Sequence, residues 1–222
     1  MNDFGNAPLV LITGAGGNIG HSLASALAPS YHVVGLDRKT NGAGFPTIQA
    51  DFASADSITL ALHRVRAEFG NRLASVIHLA AYFDFDDVDH PLYQAVNVEG
   101  TRHLLRALKD FEVEQFVYSS TMLVHKACRP GERIDERQPV EPRWAYPRSK
   151  AAAESVISEE RGSIPAVVLR LAGMYDDVSV VPNRLRRTAR RDRLPAAWHR
   201  GLAHDACAES FGCRRDLGAR GV

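Results

Sequence analysis

The chain has 222 residues, of which 45% are hydrophobic and 24% charged, a composition that excludes wholesale disorder and suits one sizeable domain with a further segment. No apolar run approaches the roughly 20 residues of a membrane-spanning helix. The formal net charge of +1 hides an asymmetry: residues 183–222 hold ten Arg, no Lys and four acidic residues, a local net of +6, which leaves −5 for residues 1–182.

The N-terminus has no basic n-region, and its only apolar run is Leu9 to Ile12, so no secretory signal is expected. Cys128, Cys207 and Cys213 are too few and too irregular for a disulfide framework or a four-ligand zinc site. The expected setting is a reducing cytoplasm, with no metal and no membrane partner.

Leu9-Val-Leu-Ile-Thr13 reads as a buried strand ending at Gly14. Ile19, Leu23, Ala26 and Leu27 recur at helical spacing until Pro29. His32 to Asp37 predicts a second strand and Thr47 to Ala50 a weaker third. Ile58, Leu62, Val65 and Phe69 mark one face of a helix, with Ser54 or Asp56 as its cap. Ser75 to Leu79 predicts a strand, and Leu92 to Leu108 a helix with Leu104, Leu105 and Leu108 inward. Gln115 to Ser119 predicts another strand. Pro130, Pro139 and Pro142 make residues 126–143 mostly loop. A helix over Pro147–Glu160 and a strand over Ala166–Leu171 complete the series. Apolar strands alternating with helices imply an α/β fold, a parallel sheet covered on both faces.

Gly14-Ala-Gly-Gly17-Asn-Ile-Gly20 lies between the first strand and first helix. Glycines there let the backbone turn tightly and approach a pyrophosphate, which the helix N-terminus then receives. The candidate contacts are Gly14, Gly17, Asn18, Ile19 and Gly20. Asp37 ends the second strand, where a carboxylate can accept both hydroxyls of an adenosine ribose and repel a 2′-phosphate. NAD is therefore expected, with Arg38 beside it leaving NADP open. Asp51 is a candidate for an adenine amino group or, equally, a turn cap. Phe52, Leu79, Ala80 and Ala81 complete the cofactor wall.

Tyr146 and Lys150 stand four apart at a helix start, so both groups can reach one point. Pro147 suits the first helical position. A neighbouring ammonium would lower the phenol's pKa and make proton transfer practical. Tyr118-Ser-Ser-Thr121 follows at the same sheet edge and brings hydroxyls that could orient a substrate C–O bond.

These motifs, together with Asn97-Val-Glu-Gly-Thr101 and Leu169-Arg-Leu171, resemble the short-chain dehydrogenase/reductase superfamily over residues 8–180. The chain looks most like the extended branch of NAD-dependent epimerases and dehydratases of nucleotide sugars. The resemblance implies a Rossmann-type doubly wound parallel sheet. It implies Tyr146 as acid/base, Lys150 as the lysine that binds the nicotinamide ribose, Thr121 as the catalytic hydroxyl and Asn97 as a support of the cofactor site. It also implies hydride transfer at a carbinol carbon, a small-molecule substrate such as a nucleotide sugar, and a homodimer. Two turns depart from the branch: Val124-His125-Lys126, and Leu171-Ala-Gly-Met-Tyr175. Tyr82-Phe-Asp-Phe85 is unusually apolar and suits either an apolar carbonyl substrate or core packing.

The expected organisation is a nucleotide-binding domain over residues 1–182 and a poorly ordered Arg-rich tail over 183–222. In the tail only Thr188 and Val222 are β-branched, and no periodic apolar pattern persists. This favours a tail read from a shifted frame or truncated gene, with the substrate lobe missing, over a natural extension or a nucleic-acid arm. Three functions remain open: a nucleotide-sugar epimerase or dehydratase, a reductase or dehydrogenase of a small or apolar carbonyl compound, and a cofactor-binding protein without useful catalysis.

Overall fold

The computed structural model describes residues 7–40, 44–84, 88–128 and 132–174. The chain divides into one unit over residues 1–126 with 140–174, and a second over 127–139 with 175–222. In the second unit, Asp135 closes a turn by accepting the N–H groups of Arg137 (2.9 Å) and Gln138 (3.1 Å). The expected boundary at residue 183 lies outside the described residues.

Among the described residues every sheet strand belongs to the first unit. Leu9–Thr13 (β1) is buried along its whole length. Asn18–Leu27 (α1) follows it, with Leu23 and Leu27 of the expected series packed against the apolar side chains of β1 and β2. Ile19 is 38% exposed and the helix packs through Gly20 and Ala24. The reason is the close approach at Gly20, where a Cβ would lie 2.8 Å from Ala15 Cα. The backbone itself makes that contact, so the face rotates toward the glycine.

His32–Asp37 (β2) and Thr47–Gln49 (β3) come next. Ala55–Phe69 (α2) starts at Ser54, whose Oγ accepts the N–H of Ser57 at 3.3 Å, and it buries Ile58, Leu62 and Val65 as the periodicity predicts. Arg72–Leu73 (β4) was not legible from the sequence, and neither was its partner further along. Ser75–His78 (β5) returns to the main sheet.

The expected single helix over 92–108 is composite. It opens as a wide π-helical segment, Tyr93–Glu99, continues as Gly100–Ala107 (α3) and ends in a tight turn, Leu108–Asp110. Leu104, Leu105 and Leu108 are buried as expected. Glu112–Val113 (β6) pairs with β4. Phe116–Thr121 (β7) runs two residues beyond the expected end, so Thr121 is the last strand residue and not part of the following loop. Ala145–Glu160 (α4) begins two residues early and places Pro147 third in the helix. Its missing N–H is tolerated there because first-turn donors have no intrahelical partner. Ala166–Leu171 (β8) closes the series.

The main sheet has the order β3-β2-β1-β5-β7-β8 with every pair parallel. The order reverses between β1 and β5, the point at which open α/β sheets bind ligands beyond the strand C-termini. Two apolar clusters mark the two faces. One gathers Leu11, Val34, Leu36, Val76 and Phe116 with α2, α3 and α4. The other gathers Val10, Ile12 and Val33 with α1. Among the described residues, the β8 side chains Val167, Val168 and Leu169 are 39%, 37% and 44% exposed. Among the described residues no helix is long and apolar enough to cross a membrane.

A buried polar chain joins the C-terminal ends of β1 and β5 to α3. Thr101 Oγ1 donates to Asn97 O at 2.6 Å, which leaves it to accept from His78 Nε2 at 3.0 Å. His78 Nδ1 then accepts from Thr13 Oγ1 at 2.6 Å. Thr13 Oγ1 in turn accepts the N–H groups of Leu79 (3.2 Å) and Ala80 (3.1 Å). This direction assigns His78 the neutral Nε2–H tautomer. Burial, and secondarily the Lys150 charge, push its pKa down to about 3.

Unfolded His78 takes up a proton below about 6.5, whereas folded His78 does not until about 3. Stability should therefore fall as pH drops through that window, by up to ~1.4 kcal/mol per pH unit from this group. His78→Gln should be less stable at pH 7 yet show a flatter decline between pH 6 and 4 (about the middle of that window). Urea unfolding across pH measures this, and an unchanged slope would contradict the assignment.

Candidate functional site

The turn after β1 is built for close approach. Gly14 has φ +68°, and a Cβ there would lie 2.8 Å from Ala80 N and 3.0 Å from Leu79 C. Only glycine lets this turn rest on the chain leaving β5. Gly14 N donates to Leu36 O at 2.8 Å, which ties the turn to β2. Gly17 is the N-cap of α1 and offers no side chain to cap it, and no acidic residue occupies the first turn. Gly16, Gly17, Asn18 and Ile19 are exposed. The positive end of α1 is thus free of side-chain competition for an anion.

Asp37 stands beside this turn. One oxygen accepts Gly16 N at 2.9 Å and the other accepts Lys39 N at 3.0 Å. Each carboxylate oxygen keeps a lone pair for a further donor. A cavity of about 320 Å³ opens nearby, lined by Arg38, Gln49, Asp51, Ser57, Leu60 and Arg64. Asp51 lies on its wall but is engaged in a turn: its Oδ1 accepts Ala53 N at 2.9 Å, and its N–H donates to Ser57 Oγ at 2.9 Å. The turn-cap alternative is what this geometry shows. Phe52 packs inward, its ring centroid 5.4 Å from that of His78, so its side chain belongs to the core and not to the cavity wall. Leu79 and Ala80 are half-buried against the Gly14 turn, and Ala81 is exposed.

Asn97 clamps the next part. Its Oδ1 accepts Tyr82 N at 2.7 Å, and its Nδ2 donates to Tyr82 O (3.0 Å) and Ser149 Oγ (2.9 Å). Ser149 Oγ donates to Tyr146 O at 2.7 Å. One buried amide therefore fixes the segment after β5 against the first turn of α4. The Tyr146 ring meets that segment directly, 4.6 Å edge-on from Phe83, with Tyr93 at 6.4 Å. The contacts run unbroken from Gly14 through Ala80, Tyr82, Asn97 and Ser149 to Tyr146.

The Tyr146–Lys150 pair differs from the expectation drawn from its spacing. The Lys150 ammonium is buried, donates to Ser119 O at 2.7 Å and lies 4.6 Å above the Tyr118 ring. Burial lowers its pKa to about 7, against the opposing pull of Glu154. Tyr146 moves the other way: burial, then Tyr93, raise it to about 12. The ammonium is thus held by the end of β7 and does not lower the phenol's pKa in this arrangement. Thr121 Oγ1 accepts Leu123 N at 3.3 Å and caps the short turn after β7, while its own hydrogen remains free to donate.

Three contributors escaped the sequence reading: Ser149, which links Asn97 to Tyr146; Thr13 with His78; and Glu154. Glu154 had a signal, since it continues the four-residue spacing of Tyr146 and Lys150. Thr13 with His78 needed the tertiary pairing of β1 with β5, and Ser149 needed the contact of α4 with Asn97.

Comparison with known proteins agrees with this geometry. The NAD dependent epimerase/dehydratase family matches over residues 10–197. A dTDP-D-glucose 4,6-dehydratase of Homo sapiens is 29% identical over 190 residues, covering 77% of this chain and 52% of that protein. A 4-hydroxy-2-methyl-3-oxo-4-farnesyl-3,4-dihydroquinoline-1-oxide ketoreductase of Stigmatella aurantiaca is 32% identical over 178 residues, covering 77% of this chain and 52% of that protein. The crystal structure of a short-chain dehydrogenase/reductase superfamily protein from Agrobacterium tumefaciens, with bound NAD, superposes with a TM-score of 0.68 at 25% identity, covering 92% of this chain and 63% of that one. The chain spans about half the length of the curated relatives it matches. With its switch-point glycine turn, its parallel sheet and a family match over most of its length, the chain belongs to the NAD dependent epimerase/dehydratase family.

Proposed function

We propose that the chain binds NAD across the C-terminal ends of β1 and β5, and that Tyr146 exchanges a proton with a substrate hydroxyl in an epimerase or dehydratase reaction on a nucleotide sugar. The observation that carries this is the continuous run of contacts from the Gly14 turn to Tyr146. The residues fit the cofactor: the Gly14 turn would be filled by any Cβ, α1 presents an uncapped positive end, and Asp37 keeps acceptors for ribose hydroxyls. Gly14, Gly17, Asn18, Ile19 and Gly20 would hold the pyrophosphate, Asp37 the adenosine ribose and Lys150 the nicotinamide ribose. Bound there, NAD supplies a reversible hydride acceptor. Arg38 and Arg64 line the neighbouring cavity, but the Asp37 carboxylate disfavours a 2′-phosphate beside it.

At about 12, the Tyr146 phenol keeps its proton at neutral pH. It can donate a hydrogen bond to a carbonyl oxygen, and it becomes a practical base only with positive charge beside it. Lys150 has two N–H bonds beyond the one to Ser119 O and can supply that charge. Thr121 orients the same oxygen through its free hydroxyl hydrogen. Substrate class and activity come from the dTDP-D-glucose dehydratase relative together with this chemistry. The homodimer suggested by the family resemblance belongs to the same proposal.

A second reading, reduction of an apolar carbonyl compound, is favoured by Phe83. This ring is 46% exposed and stands 4.6 Å from Tyr146, and the Stigmatella ketoreductase acts on a farnesyl compound. Mass spectrometry of ligand released from purified protein separates the readings. Retained NAD supports the first, whereas no retained cofactor with stoichiometric oxidation of added NAD(P)H supports the second.

Asp37→Ala should weaken NAD binding about tenfold or more, through loss of charge-assisted hydrogen bonds, and narrow the gap with NADP. Calorimetric titration measures this; tighter NADP than NAD binding by the unsubstituted chain would overturn the assignment. Tyr146→Phe should lower turnover by about 100-fold or more while leaving NAD affinity within a factor of about two. Near-normal turnover in that variant would remove Tyr146 from the chemistry.

A further inference from the structure

Tyr118 lies in the interior of the sheet, in register with His78 of β5 on one side and Val168 of β8 on the other. It is 1% exposed, and its ring centroid is 5.6 Å from that of His78. Its hydroxyl is buried with no hydrogen-bond partner among the described residues, which costs the fold stability. The face of the ring, by contrast, has a partner. Lys150 Nζ stands over it, 4.6 Å from the centroid, within the distance at which a ring quadrupole attracts a cation. The same Nζ donates to Ser119 O at 2.7 Å. Two consecutive residues of β7 thus meet one buried ammonium, the first with its ring face and the second with its carbonyl.

We propose that Tyr118 is a positioning residue whose ring face seats the Lys150 ammonium and stabilises its charge in the interior. A carbonyl takes an N–H from a neutral amine as well as from an ammonium, whereas the ring quadrupole favours the charged form. The ring acts through its face and not through an ionised hydroxyl, because burial, and then Tyr146 and Glu154, raise the phenol well above its ordinary value. His78 of β5 is held neutral, and Tyr146 of α4 keeps its proton, with Tyr93 of the π-helical segment beyond it. Glu154 of α4 is paired with Arg170 of β8, and Arg102 of α3 is paired with Glu160. Among the described residues, the Tyr118 face is therefore the contact made directly to the Lys150 charge. A charged lysine held there can serve the nicotinamide ribose and Tyr146. That consequence rests on the proposed function; the seat itself does not.

The chain has four lysines, Lys39, Lys109, Lys126 and Lys150, so protein labelled with 13C at lysine Cε gives four NMR signals, and Lys150→Met identifies the one from Lys150. Tyr118→Phe keeps the face and removes the unpartnered hydroxyl. It should leave the Lys150 midpoint within about 0.3 pH unit of its starting value and be at least as stable to urea. Phenylalanine analogues with one, two and three ring fluorines, placed at position 118 by stop-codon suppression, withdraw electron density from the face while nearly preserving its shape. The first fluorine takes the para position vacated by the hydroxyl, and that analogue is read alone if the heavier ones do not fold. The midpoint should fall stepwise, by roughly half a pH unit or more at three fluorines. The same series at Phe116, two residues earlier on β7 and in the same apolar cluster, should leave it unmoved. An unchanged midpoint at position 118, or an equal fall from Phe116, overturns the proposal. So does failure of Tyr118→Phe to fold, which would make the hydroxyl and not the face the essential group. A stepwise fall with an unmoved pH profile of turnover would uphold the seat and count against Lys150 in the chemistry.

Discussion

The architecture depends on a neutral histidine buried between two threonines. Parallel strands present free ends at the switch point, and something must hold the departing segments apart in a fixed geometry. Here the chain from Ala80 N through Thr13, His78 and Thr101 to Asn97 O does so, with every donor matched to one acceptor. Protonating His78 would add a donor where Thr13 already donates, so burial and hydrogen bonding agree on the neutral form. Asn97 extends the order outward, its side chain spanning from the segment after β5 to α4. Thr101, in α3, bonds back to the Asn97 carbonyl within the wide helical segment.

The electrostatics of α4 follow from the same packing. A helix laid over the C-terminal ends of β7 and β8 brings a lysine into the interior, and burial alone would discharge it. One turn further along, Glu154 forms an ion pair with Arg170 of β8. Burial thus moves the candidate acid and the candidate cation in opposite directions, Tyr146 up and Lys150 down.

Much of this arrangement was legible in the sequence. Short apolar runs ending in Gly14, Asp37 and Leu79 gave β1, β2 and, one residue too long, β5, because strands buried on both faces need no alternation to be recognised. The glycine spacing and the Tyr146–Lys150 step identified the candidate site, since each needs only local geometry. Failures came where a tertiary contact outweighed local pattern. The helical spacing of α1 named Ile19, Leu23 and Leu27 together, but only Leu23 and Leu27 pack inward, while Gly20 rests on Ala15 and Ile19 is exposed. Lys150 was expected beside the Tyr146 hydroxyl, but the Ser119 carbonyl, on a strand 31 residues earlier, holds it. The roles of His78 and Arg170 depend on pairings between distant segments, which no spacing rule encodes.

The central claim is that the turn after β1, the end of β2 and the segment after β5 form one dinucleotide site. Amide hydrogen exchange with and without NAD tests it most directly. The account predicts slowed exchange, on adding NAD, at residues 14–20, 37–39 and 79–82 together, with α2 and the β4–β6 pair unaffected. NAD binding that leaves those three segments unprotected, or that protects α2 instead, would contradict it.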